Sequence, residues 1–254
     1  RWKTWNIDSR TCKAANKTYL QSLVDQYGGE ETDQAKVRVR GVFPSAATRQ
    51  LISTESVEKC QNHQSEGFEY LPKVLGCDIA RFGENSSVLI YRQGRKIYEP
   101  IVLPKQELMQ TAHFIAESIR KERPLQTFVD GSGIGAGVVD RLRQMNFQVV
   151  DVNGGNSSLN PRFLNKRVEM WWEMKEAIEG LCELPKDAKL KEELTCVEYD
   201  YTDKGRIRLD RKTDIMETYG FSPDRADALA LTFAYPVADF SDTGMELDPK
   251  VYSD

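Results

Sequence analysis

Three aspartates stand where a folding chain seldom leaves a carboxylate. Asp78 interrupts the apolar run VLGCDIA, Asp130 closes LQTFVD, and Asp227 lies within the largely apolar RADALALTFA. Asp224 precedes Asp227 by three residues, which puts the two on one side of a helix. A lone charge among buried neighbours is costly unless it is paired or bound to a cation. Carboxylate oxygens suit hard cations such as Mg²⁺ or Mn²⁺, which take oxygen ligands, retained waters and substrate phosphates. Two such ions about 3.5–4 Å apart can activate a water and stabilise the leaving oxygen of a phosphodiester. Each acid also has a plainer role open to it. Asp130 can form a turn before glycine, Asp224 can complement a helix dipole, and Asp227 can pair with Arg225 or a distant lysine. Asp78 has the weakest plain role, because strand interiors are poor places for unpaired Asp.

The segment FVDGSGIGAG, residues 128–137, reads in two ways. Gly131, Gly133 and Ala136 fit G-x-G-x-x-[G/A], the turn that cradles a dinucleotide pyrophosphate, and Asp151 follows about 20 residues later where a ribose-binding acid belongs. Alternatively Asp130 is the residue that matters, and the glycines only let the chain turn into the next helix.

The elements that must position these acids follow from periodicity. Lys17 to Gln26 reads as a short helix stopped by Gly28-Gly29, AKVRVRGVFP (35–44) alternates like a strand, and Ser53 to Cys60 reads as a brief helix. The polar CQNHQSEGFEYLP places a junction near residue 65. Beyond it KVLGCDIARF, SSVLIYRQ and KIYEPIVLP read as three strands joined as antiparallel hairpins. A helix over 106–123, the strand LQTFVD, the helix GAGVVDRLRQM and the strand FQVVDV then form βαβ pairings, which make neighbours parallel. A helix follows over 165–179, then a hairpin from ELTCVEYDYTDKGRIRLD turned at Asp203-Lys204-Gly205. The last helix is SPDRADALALTFAY, with Ser222 as its expected cap and Pro223 at its first position.

Composition sets bounds. The 254 residues are 40% hydrophobic and 29% charged, enough for a proper core. No apolar run reaches the roughly 18 residues of a membrane span, and RWKTWNIDSR has no signal-peptide core. A start at Arg1 suggests a fragment of something longer. Five scattered cysteines without C-x-x-C argue against zinc and against a disulfide framework, and fit reduced cytoplasmic thiols. The net charge of −4 sits in the tail from Val237, where Asp239, Asp242, Glu246, Asp248 and Asp254 oppose Lys250 alone. The remaining body is balanced, so a basic groove and an acidic metal site could share it.

In order, GCDIARFGENSSVLIYRQG, FVDGSGIGAGVVDRLRQ, NKRVEMWWEM, LKEEL and GFSPDRADALALTFA resemble the nuclease domain of tailed-phage large terminase subunits, over about residues 70–236. YGGEETDQAKVRVRGVFP resembles the segment that joins this nuclease to the packaging ATPase. No G-x-x-x-x-G-K-[ST] occurs, so no ATP site lies in this chain. The resemblance implies an α/β RNase H-like fold: a mixed five-stranded sheet of order 3-2-1-4-5 flanked by helices, with an extra β-hairpin and an N-terminal linker segment. It divides the chain into a linker (1–65), a nuclease domain (66–236) and an acidic tail (237–254). It makes Asp78, Asp130 and Asp227 catalytic ligands of two Mg²⁺ or Mn²⁺ ions, with Asp224 auxiliary. Lys166, Arg167, Lys204, Arg206 and Lys212 become candidate phosphate contacts.

The implied activity is endonucleolytic cutting of concatemeric double-stranded DNA, with low sequence specificity, when packaging starts and ends. The implied partners are DNA, the ATPase domain, the portal ring and the small terminase subunit, in the host cytoplasm with no membrane. The alternatives are a Holliday-junction-resolvase-like nuclease, a dinucleotide-binding module and a non-catalytic docking module.

Overall fold

The computed structural model describes residues 7–26, 29–30, 33–42, 49–80, 86–104 and 106–237. The chain forms two compact units, Arg1–Gln50 and Leu51–Asp254. The acidic tail from residue 238 lies outside the described residues, as do Arg81 and Phe82 of the first expected strand.

The first unit is helical. Helices α1 (Lys17–Gln26) and α2 (Asp33–Arg38) pack Leu20 and Val24 against Ala35 and Val39. The strand expected over 35–44 is therefore a helix as far as Arg38, and its last residues, 43–44, lie outside the described residues. Burial explains the correction. A strand would put Val37 and Val39 on one face, but Val39 is fully buried while Val37 is 44% exposed. Ala35 and Val39, four apart, share the buried side of one turn.

The second unit contains α3 (Thr54–Gln61), β1 (Lys73–Asp78), β2 (Val88–Gln93), β3 (Lys96–Ile97), β4 (Ile101–Val102), α4 (Leu108–Glu122), β5 (Gln126–Asp130), α5 (Gly135–Gln144) and β6 (Val150–Val152). It continues through α6 (Lys166–Glu179), α7 (Ala188–Thr195), β7 (Tyr199–Tyr201), β8 (Ile207–Leu209), α8 (Lys212–Tyr219) and α9 (Asp224–Leu231). The main sheet has the order β3-β2-β1-β5-β6 with β4 pairing β2 as a sixth strand, so it differs by one strand from the expected five-stranded 3-2-1-4-5 order. Strands β1 and β2 pair antiparallel, while β1–β5 and β5–β6 are parallel. The expected third strand is split because it breaks between Ile97 and Ile101, where Pro100 has no N–H to give. Strands β7 and β8 form the extra hairpin.

The second compact unit starts at Leu51. Val57 and Cys60 of α3 are fully buried in the core that also holds Val74 of β1. Alternation sends Val74, Ile90 and Phe128 to one sheet face with α6, α7 and α9, and Leu75, Cys77, Leu89 and Val129 to the other with α4 and α5. Helix α7 takes the first residues, 193–195, of the stretch expected as a hairpin. Leu190 and Leu194 are buried four apart, so KLKEEL is the amphipathic α7, capped by Asp187. Helix α8 had no expected counterpart.

Gly76 lies on the first face, two residues before Asp78. A Cβ there would overlap the Ala228 carbonyl oxygen and sit 3.0 Å from Thr232 Cγ2. The missing side chain lets α9, whose inner residues are mostly alanine and leucine, lie directly on β1.

Candidate active site

The sheet brings two acids to one end. The parallel register runs to Cys77↔Val129, and the next residues are Asp78 and Asp130, where β1 and β5 end. Neighbouring strands lie about 4.8 Å apart, so these acids leave the sheet side by side. By alternation both share the face on which α9 lies.

Helix α9 brings the other two. Asp227 is 7% exposed and Asp78 5%. The Lys212 ammonium, at the start of α8, lies 3.2 Å from Asp78 Oδ2 and 2.9 Å from Asp227 Oδ2. Asp227 Oδ1 accepts from Trp171 Nε1 at 2.7 Å and from Arg167 Nε at 3.1 Å. Arg167 and Trp171 are four apart on α6, hence on one helix face. Asp224 is half-buried one turn before Asp227, and Asp130 Oδ1 accepts from Ser132 N at 2.9 Å, the turn contact its plainer role predicts.

The electrostatics tie the four acids together. Burial raises the Asp78 carboxyl from 3.8 to about 7; Lys212 opposes the rise, while Asp227, Asp130 and Asp224 add to it. Burial also raises Asp224, with Asp227 contributing. For Asp227 burial acts upward too, but Arg167 and Lys212 outweigh it and hold the carboxylate below its usual range. Burial works against the Lys212 ammonium, and Asp227 and Asp78 more than offset it.

The donor set is all carboxylate oxygen, as a hard cation requires. Asp227 Oδ2 is buried and, although near the ammonium, has no hydrogen-bond partner; Arg167 Nη2 is likewise unpartnered. Among the described residues, no group of three or more Asp, Glu, His or Cys side chains stands close enough together to hold a metal ion with the side chains as they lie. Lys212 stands between two of the acids.

The five basic candidates separate. Lys166 is 3% exposed, pairs with Glu169 at 2.7 Å and faces the Tyr235 ring, so it offers nothing to a phosphate. Arg167 and Lys212 are engaged with the acids. Lys204 is exposed at the tip of the β7–β8 hairpin, and half-buried Arg206 has an unpartnered Nε.

The glycines of residues 131–135 serve the turn. Gly133 has φ +62°, and a Cβ on Gly131 would overlap the Asp151 carboxylate. Three contributors escaped the sequence reading. Trp171, the donor to Asp227 Oδ1, is one of them. Arg92 donates to the Thr232 carbonyl at 2.7 Å at the C-terminal end of α9, its pKa drawn down to about 10 by burial. Glu193 caps the other end of α9. The expected Ser222 cap is absent because Pro223 occupies the cap position, and no side chain local to the helix caps it. Two cavities, of about 500 and 380 Å³, share His63 and Leu181. They open near Gly180, about 20 Å along α6 from Arg167.

The fold is the RNase H-like class of α/β protein. Among solved structures it matches the nuclease domain of the large terminase subunit gp2 of bacterial virus Sf6, with a TM-score of 0.64 at 17% identity over 74% of this chain and 99% of that one. A lysine-to-alanine variant of that domain with manganese gives 0.63 at 18% identity over 73% and 99%. The large terminase nuclease from thermophilic phage G20c with bound magnesium gives 0.54 at 15% identity over 75% and 98%. No protein-family model matches the sequence, and no curated protein matches it.

Proposed function

We propose that this chain is a Mg²⁺- or Mn²⁺-dependent endonuclease of a viral DNA-packaging motor. It cuts concatemeric double-stranded DNA with little sequence preference as packaging begins and ends. The observation that carries the reading is the sharing of one ammonium by Asp78 and Asp227, carboxylates from a strand end and a helix that are 149 positions apart in sequence. The fold likeness to terminase nuclease domains, two of them with manganese or magnesium, supports it.

In this reading Asp78, Asp130 and Asp227 hold the divalent ions and Asp224 assists. Bound ions would supply an activated water and charge stabilisation at the phosphorus. The chain's own residues do the rest. Trp171 and Arg167 fix Asp227 through Oδ1 and leave Oδ2 to face inward. Lys212 neutralises the buried acids in the metal-free protein and withdraws when cations enter; at 38% side-chain exposure it has solvent to move into. Lys204 and Arg206 contact the DNA backbone from the hairpin. The body from about residue 66 to 236 is the nuclease, and the preceding segment joins it to an ATPase domain that meets the portal ring and small subunit in the host cytoplasm.

Asp78→Asn keeps the shape and removes the charge, so plasmid nicking with Mn²⁺ should be abolished while the chain stays folded. Full activity in this variant would refute the assignment.

A further inference from the structure

Helix α9 has eight residues and carries both Asp224 and Asp227 in its first turn. A helix this short has little stability of its own, and its first amide N–H groups need acceptors. Its cap position is Pro223, with no capping side chain. The acceptor comes instead from α7. Glu193 Oε2 takes Arg225 N at 2.7 Å and Ala226 N at 3.1 Å, 32 and 33 residues away in sequence. Its side chain is 4% exposed, and Oε1 lies 3.8 Å from Arg225 Nη1.

We infer that Glu193 is a positioning residue for the acid site: its carboxyl oxygen Oε2 fixes the first turn of α9 and so sets where the Asp224 and Asp227 oxygens meet Asp78. The inference rests on the metal-site reading above. Glu193 itself does not reach the reacting centre, because Oε2 is occupied by two backbone amides of the helix. It acts through the helix, as an outer partner acts through a metal ligand.

The test uses Mn²⁺ alone as the probe, with free Mn²⁺ followed by its electron paramagnetic resonance signal as it is titrated into the whole chain. Glu193→Gln keeps an acceptor oxygen and should bind Mn²⁺ within about threefold of the parent. Glu193→Met keeps the volume and loses the acceptor, and should bind about tenfold or more weakly. Adding Pro223→Asp to Glu193→Met supplies a local cap and should restore the affinity. A general packing role would not respond to that rescue.

If the two Glu193 variants bind alike, the inference is overturned. If Glu193→Met folds only when Pro223→Asp is added, the inference is supported; if it stays unfolded with the added cap, the inference is overturned. Asp78→Asn in the same titration separates the two levels. If that variant binds Mn²⁺ like the parent, the metal-site reading itself fails. If it loses Mn²⁺ while Glu193→Met does not, only the role of Glu193 fails.

Discussion

Asp78 shows what burial does to an acid. Burial raises its carboxyl from 3.8 to about 7, and burial likewise raises Glu193 from 4.5 to about 8. Both therefore keep a proton in the folded chain over a range where the unfolded chain has lost it. The native state binds more protons between about pH 4 and 8, so the metal-free protein should lose stability as pH rises through that window. Asp227 is shifted the other way, and its contribution is already complete above its ordinary 3.8. A divalent ion that replaces the Asp78 proton should reverse the loss. Melting temperatures measured from pH 4.5 to 8.5 should fall without metal, and Mn²⁺ should raise them more at pH 8 than at pH 5. A metal-free melting temperature that rises across the window would contradict this account of Asp78.

At the scale of elements, the contact between Gly76 and α9 decides whether strand and helix acids can meet. Gly76→Ala places a methyl against the Ala228 carbonyl oxygen, a backbone atom that cannot rotate away. The helix must lift, at about 1–3 kcal/mol in stability, the usual cost of overpacking. Asp227 then moves away from Asp78, so nicking should fall by more than the small loss of folded protein explains. Denaturant melts and nicking rates on the same preparation would check both. The elements involved were legible in the sequence. VLGCDIA is a short apolar run interrupted by an acid, LQTFVD is one that ends in an acid, and ALALTFA is apolar enough to betray a buried helix. What holds them was less legible. Gly76 looks like any strand glycine until the helix above it is known. Glu193 sits in KLKEEL among charges that read as solvated surface, and its partners lie more than thirty residues on. The strand expected from AKVRVR failed because alternation over six residues also fits one turn and a half of helix whose buried pair is four apart. Lys166 and Arg167 are adjacent and alike in sequence, yet one is folded onto Glu169 and the other onto Asp227.

For the whole molecule, the proposed function asks how a chain of net charge −4 would engage a polyanion. The body to residue 236 is balanced, and several of its cations near the acids are committed to carboxylates within the fold. That leaves a small set for phosphates, led by Lys204 at the hairpin tip and Arg206 behind it. Affinity carried by counterion release falls on a log–log salt plot with a slope of about −0.9 for each phosphate neutralised. With two contacts, duplex binding by this chain should be weak and its slope close to about −2. Lys204→Ala should flatten the slope by about one while leaving the Mn²⁺ affinity of the acids unchanged, since the hairpin tip is not among the residues around them. Fluorescence anisotropy of a labelled duplex between about 25 and 200 mM salt would measure both slopes. A steep parental slope, or one unmoved by Lys204→Ala, would mean that the DNA lies on some other face. The hairpin would then have no part in bringing a phosphate to the acids.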